Sequence, residues 1–293
     1  MFGQLKKNLI VAAATTAFAC ASLGVAQADD TLQNIKDRGF VRIAVANEIP
    51  YGYVDANGDA KGAGPDVAKA VLKSMGIDEI QWVVTGFSSL IPGLKANRFD
   101  MAAAEMAVLP QRCKQIDYST PNTTYGEGLL VQKGNPKDVT SYDQFSKDND
   151  LKVAIMAGAD QLDMLQDLGV PQGKMVMINN NADAISTVAT GRADAYAATG
   201  MTAAQLADKS DRVQIVQNFK DPVINGQEVR SWGAFAFNKN ADSFREAFNK
   251  AFEKYKKTDE WRKTLRSYGW TKHDIDKSFD KTTKQLCSES SQK

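Results

Sequence analysis

The sequence is poor in histidine, the side chain that most readily exchanges protons or binds metals near neutral pH. Its 293 residues include one histidine, His273, which stands between Lys272 and Asp274 in a charged C-terminal stretch. We therefore expect no Ser-His-Asp or Cys-His catalysis and no histidine-rich metal site. A glycine-rich phosphate loop is also missing, because Gly62-Ala63-Gly64 leads into Pro65, which has no N–H to offer a phosphate. The sequence predicts no metal, no cofactor and no catalytic residue.

A strong net charge is absent as well. The chain has 36 basic and 35 acidic residues, and without Lys6 and Lys7 of the N-terminal segment it has 34 basic residues against 35 acidic ones. A protein that binds nucleic acid needs a basic stripe or patch, and none stands out here. We therefore expect no nucleic-acid partner.

Long apolar runs occur only at the N terminus. There Lys6 and Lys7 precede a mostly apolar or small stretch at 9–25, and Ala26-Gln27-Ala28 has the small-x-small pattern of a signal-peptide cleavage site. We predict a signal peptide over residues 1–28, cleaved after Ala28, and a soluble mature chain in the periplasm. A membrane anchor is the alternative, but the segment is short and rich in alanine and threonine.

Cysteine is scarce too. Of three cysteines, Cys20 lies in the predicted signal peptide, so Cys113 and Cys287 remain in the mature chain. In an exported protein such a pair is typical of a disulfide. The bond would join the C-terminal tail to the segment that carries Arg112, and closing so long a loop contributes about 4 to 5 kcal/mol in the chain-entropy model. Two separate buried thiols are the alternative.

What the sequence does contain is an alternation of strand-like and helix-like segments. The first series has predicted strands at 40–46, 81–84 and 101–104 with helical segments between them, an order that favours a largely parallel sheet. A second series follows, with predicted strands at 152–156, 175–178 and 193–198 and helices between them. Two such series predict an α/β chain that folds as two lobes.

The predicted lobes are not continuous in sequence. We assign residues 29–128 and 234–293 to lobe 1 and residues 129–233 to lobe 2, because a strand at 232–237 is expected to return to the first sheet. The chain would then cross between the lobes twice, near 126–132 and 229–235. Two crossings form a hinge, and the cleft between the lobes is the natural place for a ligand.

Candidate binding residues stand at the carboxyl ends of predicted strands, the edge where ligands of open α/β sheets bind. Arg112 follows the third strand and the Leu109-Pro110 turn, and its planar guanidinium can hold a carboxylate with two parallel hydrogen bonds. Glu48 and Tyr51 follow the first strand and Phe87 follows the second. A carboxylate and two aromatic rings can surround a delocalised cation. A solvated turn for Arg112 and ordinary core packing for the two rings are the alternatives.

Two further acids are candidates. Glu105 ends an apolar strand, where a buried and unpaired charge would cost several kcal/mol. It is therefore expected to face the cleft, and a salt bridge to a nearby lysine is the alternative. Asp160 begins a helix of the second lobe, where it either caps that helix or contacts the ligand.

The chain resembles the periplasmic solute-binding proteins of ABC importers for polar amino acids, solute-binding protein family 3. The similarity extends over nearly the whole mature chain and rests on the order of short motifs that are weak individually. These motifs are Val41-Arg42-Ile43-Ala44-Val45-Ala46, Ile49-Pro50-Tyr51, Asp66-Val67-Ala68, Ile91-Pro92-Gly93-Leu94, Asp100, Pro110-Gln111-Arg112, Tyr118-Ser119, Lys133-Gly134-Asn135-Pro136 and Gly191-Arg192-Ala193-Asp194-Ala195. The resemblance implies a type II periplasmic-binding-protein fold, a small zwitterionic ligand, a partnership with the membrane subunits of an ABC permease, and no enzymatic activity. We expect a monomer.

Within this family the sequence is most similar to proteins that bind ectoine and hydroxyectoine. The similar features are Ala46-Asn47-Glu48, the Arg112-Cys113 pair and Cys287. The resemblance implies that Arg112 holds the ligand carboxylate, while Glu48, Tyr51 and Phe87 surround the ring cation. Glu105 and Asp160 would add hydrogen-bond acceptors, and Thr199 and Trp232 would line the far wall and the hinge.

Three positions depart from the family patterns. Thr199 stands where amino-acid binders usually carry an aspartate for the ligand ammonium, which favours a ring cation held elsewhere. In the opposite direction, Ala107 stands where ectoine binders have a further aromatic residue, and Asp160 where they have threonine. A polar amino acid is therefore the alternative ligand. A periplasmic dehydratase of prephenate-like acids, using Glu48 or Glu105, is the enzymatic alternative, but the sequence lacks a second basic clamp.

Overall fold

The computed structural model describes residues 29–288, so the predicted signal peptide and its cleavage after Ala28 lie outside the described residues, as do residues 289–293. The strands of this part of the chain are β1 Val41–Val45, β2 Tyr53–Val54, β3 Ala60–Lys61, β4 Ile80–Val84, β5 Met101–Ala107, β6 Asp117–Tyr118, β7 Thr123–Tyr125, β8 Glu127–Gln132, β9 Val153–Met156, β10 Met175–Ile178, β11 Ala195–Thr199, β12 Val213–Ile215, β13 Val223–Ile224, β14 Gln227–Glu228 and β15 Ser231–Phe237. The helices are α1 Thr31–Arg38, α2 Ala63–Ser74, α3 Leu90–Lys95, α4 Pro110–Cys113, α5 Gln144–Lys147, α6 Gln161–Asp167, α7 Ala182–Ala189, α8 Gly200–Ala207, α9 Asp242–Tyr255, α10 Asp259–Ser267, α11 Lys272–Lys277 and α12 Thr283–Ser288.

The first sheet has the order β4-β1-β5-β15-β6, with β7 also paired to β15. The strands β4, β1 and β5 are parallel, as predicted from the alternating pattern. The strand β15 comes from the far end of the chain and runs antiparallel to β5, β6 and β7. We call this sheet and the helices packed on it lobe 1.

The second sheet has the order β10-β9-β11-β8-β12. Its strands β10, β9 and β11 are parallel, and β8 runs antiparallel to both β11 and β12. We call this sheet and its helices lobe 2. Two α/β sheets, each built mainly from its own series of alternating elements, confirm the predicted two-lobed α/β fold.

The chain passes from the first sheet to the second between Tyr125 and Glu127, and it returns at Ser231. The predicted lobe boundaries at 128/129 and 233/234 fall inside β8 and β15, a few residues from these crossings. We retain those boundaries as a proposal.

An aromatic core fixes the return of the chain to lobe 1. Phe244, Phe248 and Phe252 recur every four residues of α9 and therefore lie on one face of the helix, where they are fully buried. They pack edge-on against Phe235 and Phe237 of β15, with ring centroids 4.9 to 5.5 Å apart in the closest pairs. Burial of each such ring contributes about 1.5 to 3 kcal/mol, which anchors β15 in the sheet.

The predicted disulfide is confirmed. Cys113, the last residue of α4, is bonded to Cys287 in α12, and their Cα atoms lie 5.7 Å apart. The C-terminal tail is thus attached next to Arg112. None of the helices formed by residues 29–288 combines the length and the apolar character that a membrane-spanning helix needs.

Candidate ligand-binding cleft

The loop after β1 carries two of the predicted ligand residues, Glu48 and Tyr51. It is closed by two backbone hydrogen bonds between Glu48 and Gly52, of 3.0 and 2.9 Å. A Cβ atom at residue 52 would lie only 2.3 Å from the carbonyl oxygen of Ala103 in β5, so glycine is needed for this close approach. The loop therefore holds Glu48 and Tyr51 against the carboxyl end of the first sheet.

A small cavity lies between the two lobes. The volume open to the centres of water molecules is about 20 Å³. Lobe 1 contributes Glu48, Tyr51, Phe87, Ala104, Glu105 and Tyr125, and lobe 2 contributes Met156, Ala159, Asp160, Gln161, Tyr196, Ala198 and Thr199. Six of the nine predicted ligand residues thus meet at one cavity: Glu48, Tyr51, Phe87, Glu105, Asp160 and Thr199.

Side-chain hydrogen bonds close this cavity across the lobes. The Tyr51 hydroxyl donates to Thr199 Oγ1 at 2.8 Å, and Thr202 Oγ1 donates to Glu48 Oε1 at 2.7 Å. Thr199 also caps α8, because its Oγ1 accepts a hydrogen bond from the Thr202 backbone N–H at 3.2 Å. The two threonines thus fix the start of α8 and form hydrogen bonds with Tyr51 and Glu48 of lobe 1.

The cavity is acidic. Glu48 is buried, and burial raises the pKa of its carboxyl group, with a further upward contribution from the negative charge of Asp160. Its hydrogen bonds to Thr202 and Asn181 oppose that rise in pKa. A ligand cation beside Glu48 would favour the ionised carboxylate, so this wall is suited to a positive group.

Arg112 is buried at the rim of the cleft and connects the lobes. Its guanidinium donates to the carbonyl oxygen of Ala107 at 3.1 Å and to that of Gly158 in lobe 2 at 2.9 Å. It also lies over the ring of Phe87, 5.6 Å from the centroid. Gly158 has a φ of +82°, and a Cβ atom there would lie 3.0 Å from Ser88 Cα, so glycine permits the lobes to meet at this point.

Asp160 does not cap its helix. It occupies the position before α6, but its side chain makes no capping hydrogen bond. Its carboxylate instead accepts a hydrogen bond from the Ser231 hydroxyl of β15 at 3.0 Å and lines the cavity. The capping alternative is therefore wrong, and Asp160 is a cross-lobe residue.

Glu105 lines the cavity, but its carboxylate is held within lobe 1. Asn122 donates to its Oε1 at 2.7 Å and Thr123 to its Oε2 at 2.6 Å. Burial raises the pKa of Glu105 to about 7, and the positive charge of Lys256 opposes this rise. No Lys256–Glu105 salt bridge within 4 Å forms among the described residues, although the two groups interact electrostatically.

Arg112, Ala107 and Trp232 do not line the 20 Å³ cavity. Ala107 is buried, and its carbonyl oxygen accepts hydrogen bonds from Arg112 and from the Tyr118 hydroxyl. The Trp232 indole N–H donates to the carbonyl oxygen of Lys277 at 3.1 Å, and Trp232 lines a neighbouring cavity of about 250 Å³ that Asp160 also lines. The predicted contacts of these three residues with a ligand stay predictions.

Several residues of the cavity were not predicted. Tyr125, Tyr196 and Gln161 line it, and Thr202 holds Glu48. The sequence does contain a signal for Thr202. Thr199, at the end of a predicted strand, is a typical helix N-cap, and an N-cap side chain bonds the backbone N–H two or three residues later, which here is that of Thr202. The two tyrosines carry no such signal, since each lies in a strand whose side chains face the cleft only after the sheets have formed.

Stability should depend on pH through Glu105. The unfolded chain releases this proton near pH 4.5, whereas the folded chain retains it until about pH 7, so stability is lost as the pH rises between these values. Glu105→Gln is expected to gain about 3 kcal/mol relative to the wild type between pH 4.5 and pH 8. Urea unfolding at both pH values tests this, with the exposed Glu79→Gln as control. The prediction would be contradicted if the difference in unfolding free energy between Glu105→Gln and the wild type were the same at both pH values.

A further hydrogen bond joins the lobes at the rim of the cleft. Gln111 Nε2 donates to Asp163 Oδ2 at 2.7 Å, on the exposed rim of the cleft. Its loss favours the open lobes, so Gln111→Ala is expected to speed ligand release about two- to tenfold. Stopped-flow measurement of ligand dissociation tests this. Gln115→Ala is the matched control, because among residues 29–288 its side chain has no hydrogen-bond partner in lobe 2. Equal release rates in the two variants would mean that the Gln111–Asp163 hydrogen bond does not help to hold the lobes closed.

Two α/β lobes that close on a small polar cavity, with two crossings between them, define the class of type II periplasmic binding proteins. The chain belongs to the bacterial extracellular solute-binding proteins, family 3, whose family model matches residues 41–271. A probable amino-acid ABC transporter periplasmic-binding protein of Sinorhizobium fredii is 54% identical over 280 residues, which are 95% of this chain and 92% of the relative.

Solved structures give the same fold. EhuB in complex with hydroxyectoine superposes with a TM-score of 0.81 at 27% identity, covering 90% of this chain and 100% of EhuB. An ancestral amino acid-binding protein, a precursor of cyclohexadienyl dehydratase, superposes with a TM-score of 0.70 at 28% identity, covering 81% of this chain and 99% of the ancestral chain.

The protein is therefore the extracellular or periplasmic substrate-binding component of an amino-acid-type ABC importer. It binds a small amino-acid-like solute and works with the membrane permease of that importer. Its family consists of binding proteins for transport, so the chain is not an enzyme and the dehydratase alternative is set aside.

Proposed function

We propose that the solute is ectoine or hydroxyectoine, a small zwitterion with a delocalised ring cation and a carboxylate. The observation that carries this proposal is the meeting of Glu48, Tyr51 and Phe87 at one cavity wall. A carboxyl group that lines a cavity together with two aromatic residues is suited to a delocalised cation, whose charge would favour the ionised form of Glu48 that burial disfavours. The similarity to EhuB, whose structure contains hydroxyectoine, supports the same ligand class.

Arg112 would hold the ligand carboxylate. In the closed lobes two of its N–H groups donate to backbone carbonyl oxygens. A guanidinium has five N–H donors, so others remain for a carboxylate at the rim. Asp160 and Glu105 would accept hydrogen bonds from the ligand, although both Glu105 oxygens already have donors. Thr199 and Trp232 would line the wall and hinge around it.

The cavity has room for only about one or two water molecules, since about 20 Å³ is open to water centres, so a solute enters when the lobes separate. Contacts from both lobes would then stabilise the closed form, because a ligand shifts the lobe equilibrium only by its differential affinity for the two forms. We also propose that residues 1–28 are removed after Ala28, that the mature protein is a monomer, and that it binds no nucleic acid.

A thermal-shift screen over ectoine, hydroxyectoine, betaines and polar amino acids tests the ligand. A ligand present at 100 times its dissociation constant is expected to add about 2.7 kcal/mol to stability. Stabilisation by the ectoines and not by amino acids is the expected result. If a polar amino acid stabilised the protein more than ectoine does, the ligand would be the amino acid instead. The similarity to the 54% identical amino-acid ABC transporter protein favours that alternative.

A further inference from the structure

A further pocket lies in lobe 1, away from the cleft. It forms where the end of α9 and the segment after α11 pack against the turn between β6 and β7, and its volume is about 250 Å³. It shares no lining residue with the cavity between the lobes. The pocket is therefore separate from the proposed solute site.

A buried lysine with few hydrogen-bond partners lines this pocket. Lys256 is 5% exposed, and its Nζ donates to the carbonyl oxygen of Pro121 at 2.5 Å. Among residues 29–288 the Nζ has no second hydrogen-bond acceptor and no carboxylate within 4 Å. An ammonium has three N–H donors, so two of them have no acceptor in the described chain.

Aromatic rings partly stabilise the lysine charge. The Nζ lies over the rings of Phe279, Trp261 and Phe252, at 4.2, 5.2 and 5.7 Å from their centroids. Ring faces attract a cation but accept no conventional hydrogen bond from it. The environment of Lys256 thus favours a positive charge without completing its hydrogen bonding.

A second polar atom without a partner lines the same pocket. Thr120 Oγ1 is buried and makes no hydrogen bond to any group of residues 29–288. Buried hydroxyl groups in native proteins nearly always have a partner, so this atom and the two free N–H donors of Lys256 call for an acceptor between them. That acceptor must come from outside the described chain.

The charge and the lining of the pocket indicate the class of ligand that it can bind. Lys257 and Lys281 also line it, against the single acidic residue Glu253, so cationic groups are in excess. Its remaining wall includes Pro121 and the ring of Phe279, which is 49% exposed. A site that combines cationic groups with apolar surface suits a molecule with an acid group and an apolar body.

We propose that this pocket is a second binding site, for a small organic carboxylate. The carboxylate oxygens accept hydrogen bonds from Lys256 Nζ and Thr120 Oγ1, and the apolar part of the ligand lies against Pro121 and Phe279.

Proton uptake gives this site a signature that an ordinary surface site lacks. Burial lowers the pKa of Lys256 to about 7, while Glu105 and Glu253 oppose this shift and Arg262 adds to it. At pH 8 a bound carboxylate favours the charged ammonium, so binding draws a proton from the buffer. Titration calorimetry in two buffers of different ionisation heat measures that uptake on the unmodified protein.

The test uses benzoate as the probe and protein free of any cleft solute, so it is independent of the proposed solute. Benzoate is expected to bind saturably, and neutral benzamide at least tenfold more weakly. Lys256→Met is expected to weaken benzoate binding at least tenfold and Thr120→Val about three- to tenfold. Lys254→Met, on the exposed side of α9, is the control and should leave binding unchanged.

Three results would overturn the proposal. The first is no saturable benzoate binding, which would mean that water alone fills the pocket. The second is binding that Thr120→Val and Lys256→Met leave unchanged, or that occurs without proton uptake at pH 8. The third is tighter binding of sulfate than of benzoate, which would exclude an organic carboxylate. If Lys256→Met does not fold, Thr120→Val and the proton uptake of the wild type decide.

Discussion

Arg112→Ala is expected to weaken solute binding tenfold to a few hundredfold. A charged, paired hydrogen bond to a carboxylate contributes about 1.5 to 3 kcal/mol, and each decade of affinity corresponds to about 1.4 kcal/mol. The substitution also removes the bond from the guanidinium to the Gly158 carbonyl oxygen, which joins the lobes in the closed form. Calorimetric titration with the best ligand from the screen measures the loss.

Two comparisons separate carboxylate binding from lobe closure. Arg112→Lys should fail to restore most of the affinity, because a single ammonium cannot reproduce the planar fork of a guanidinium. An amide derivative of the ligand, which lacks the carboxylate charge, should lose much less affinity than the acid in Arg112→Ala. Equal losses for acid and amide would mean that Arg112 only closes the lobes. Undiminished affinity for the acid would mean that the carboxylate binds elsewhere.

Reduction of the Cys113–Cys287 bond is expected to cause the largest loss of stability. The bond joins residues 174 positions apart, so it restricts a long loop of the unfolded chain and contributes about 4 to 5 kcal/mol in the chain-entropy model. For a protein of this size the melting temperature should fall by roughly 10 °C or more. Differential scanning calorimetry with and without a reductant measures the change.

The double variant Cys113→Ser, Cys287→Ser is the control. It should melt near the temperature of the reduced wild type and should not respond to reductant. Mature protein taken from the periplasm and unfolded without reductant should show no free thiol. Two titratable thiols in that protein, or equal melting temperatures with and without reductant, would contradict a stabilising bond.

The long strands were predictable from sequence, because their apolar runs are bounded by turn residues. The first was predicted at 40–46 and is Val41–Val45, and the tenth was predicted at 175–178 and has those bounds. The short strands β6 and β7 were missed, since the polar and turn-forming residues of 117–125 are typical of a loop. They form only by pairing with β15, which is more than one hundred residues away in sequence.

The end of β5 shows why a local pattern was insufficient. The strand was predicted to stop at Ala104, before the charge of Glu105, but it continues to Ala107. The side chains of Asn122 and Thr123, in the next segment, donate hydrogen bonds to the Glu105 carboxylate. The strand can therefore continue past this buried acidic residue. No local feature of the sequence indicates those donors.

The residues of the candidate site were likewise only partly predictable from the sequence. Glu48, Tyr51 and Phe87 were identifiable because they follow the parallel strands β1 and β4, whose carboxyl ends share an edge of the first sheet. Tyr125 and Tyr196 reach the cavity, and Thr202 reaches Glu48, only through the pairing of distant strands and the contact of the two lobes. Sequence order therefore indicates one wall of the cleft better than the other.

The interrupted first sheet has a consequence for the order in which the exported chain acquires structure. Lobe 2 draws its five-stranded sheet from one continuous stretch, β8 to β12, and can assemble as soon as that stretch has emerged. Lobe 1 must wait for β15, which stands between β5 and β6 and links the two parts of its sheet. Truncation before Ser231 would leave lobe 1 with a divided sheet beside a complete lobe 2, so residues 231–293 determine when the protein becomes competent to bind.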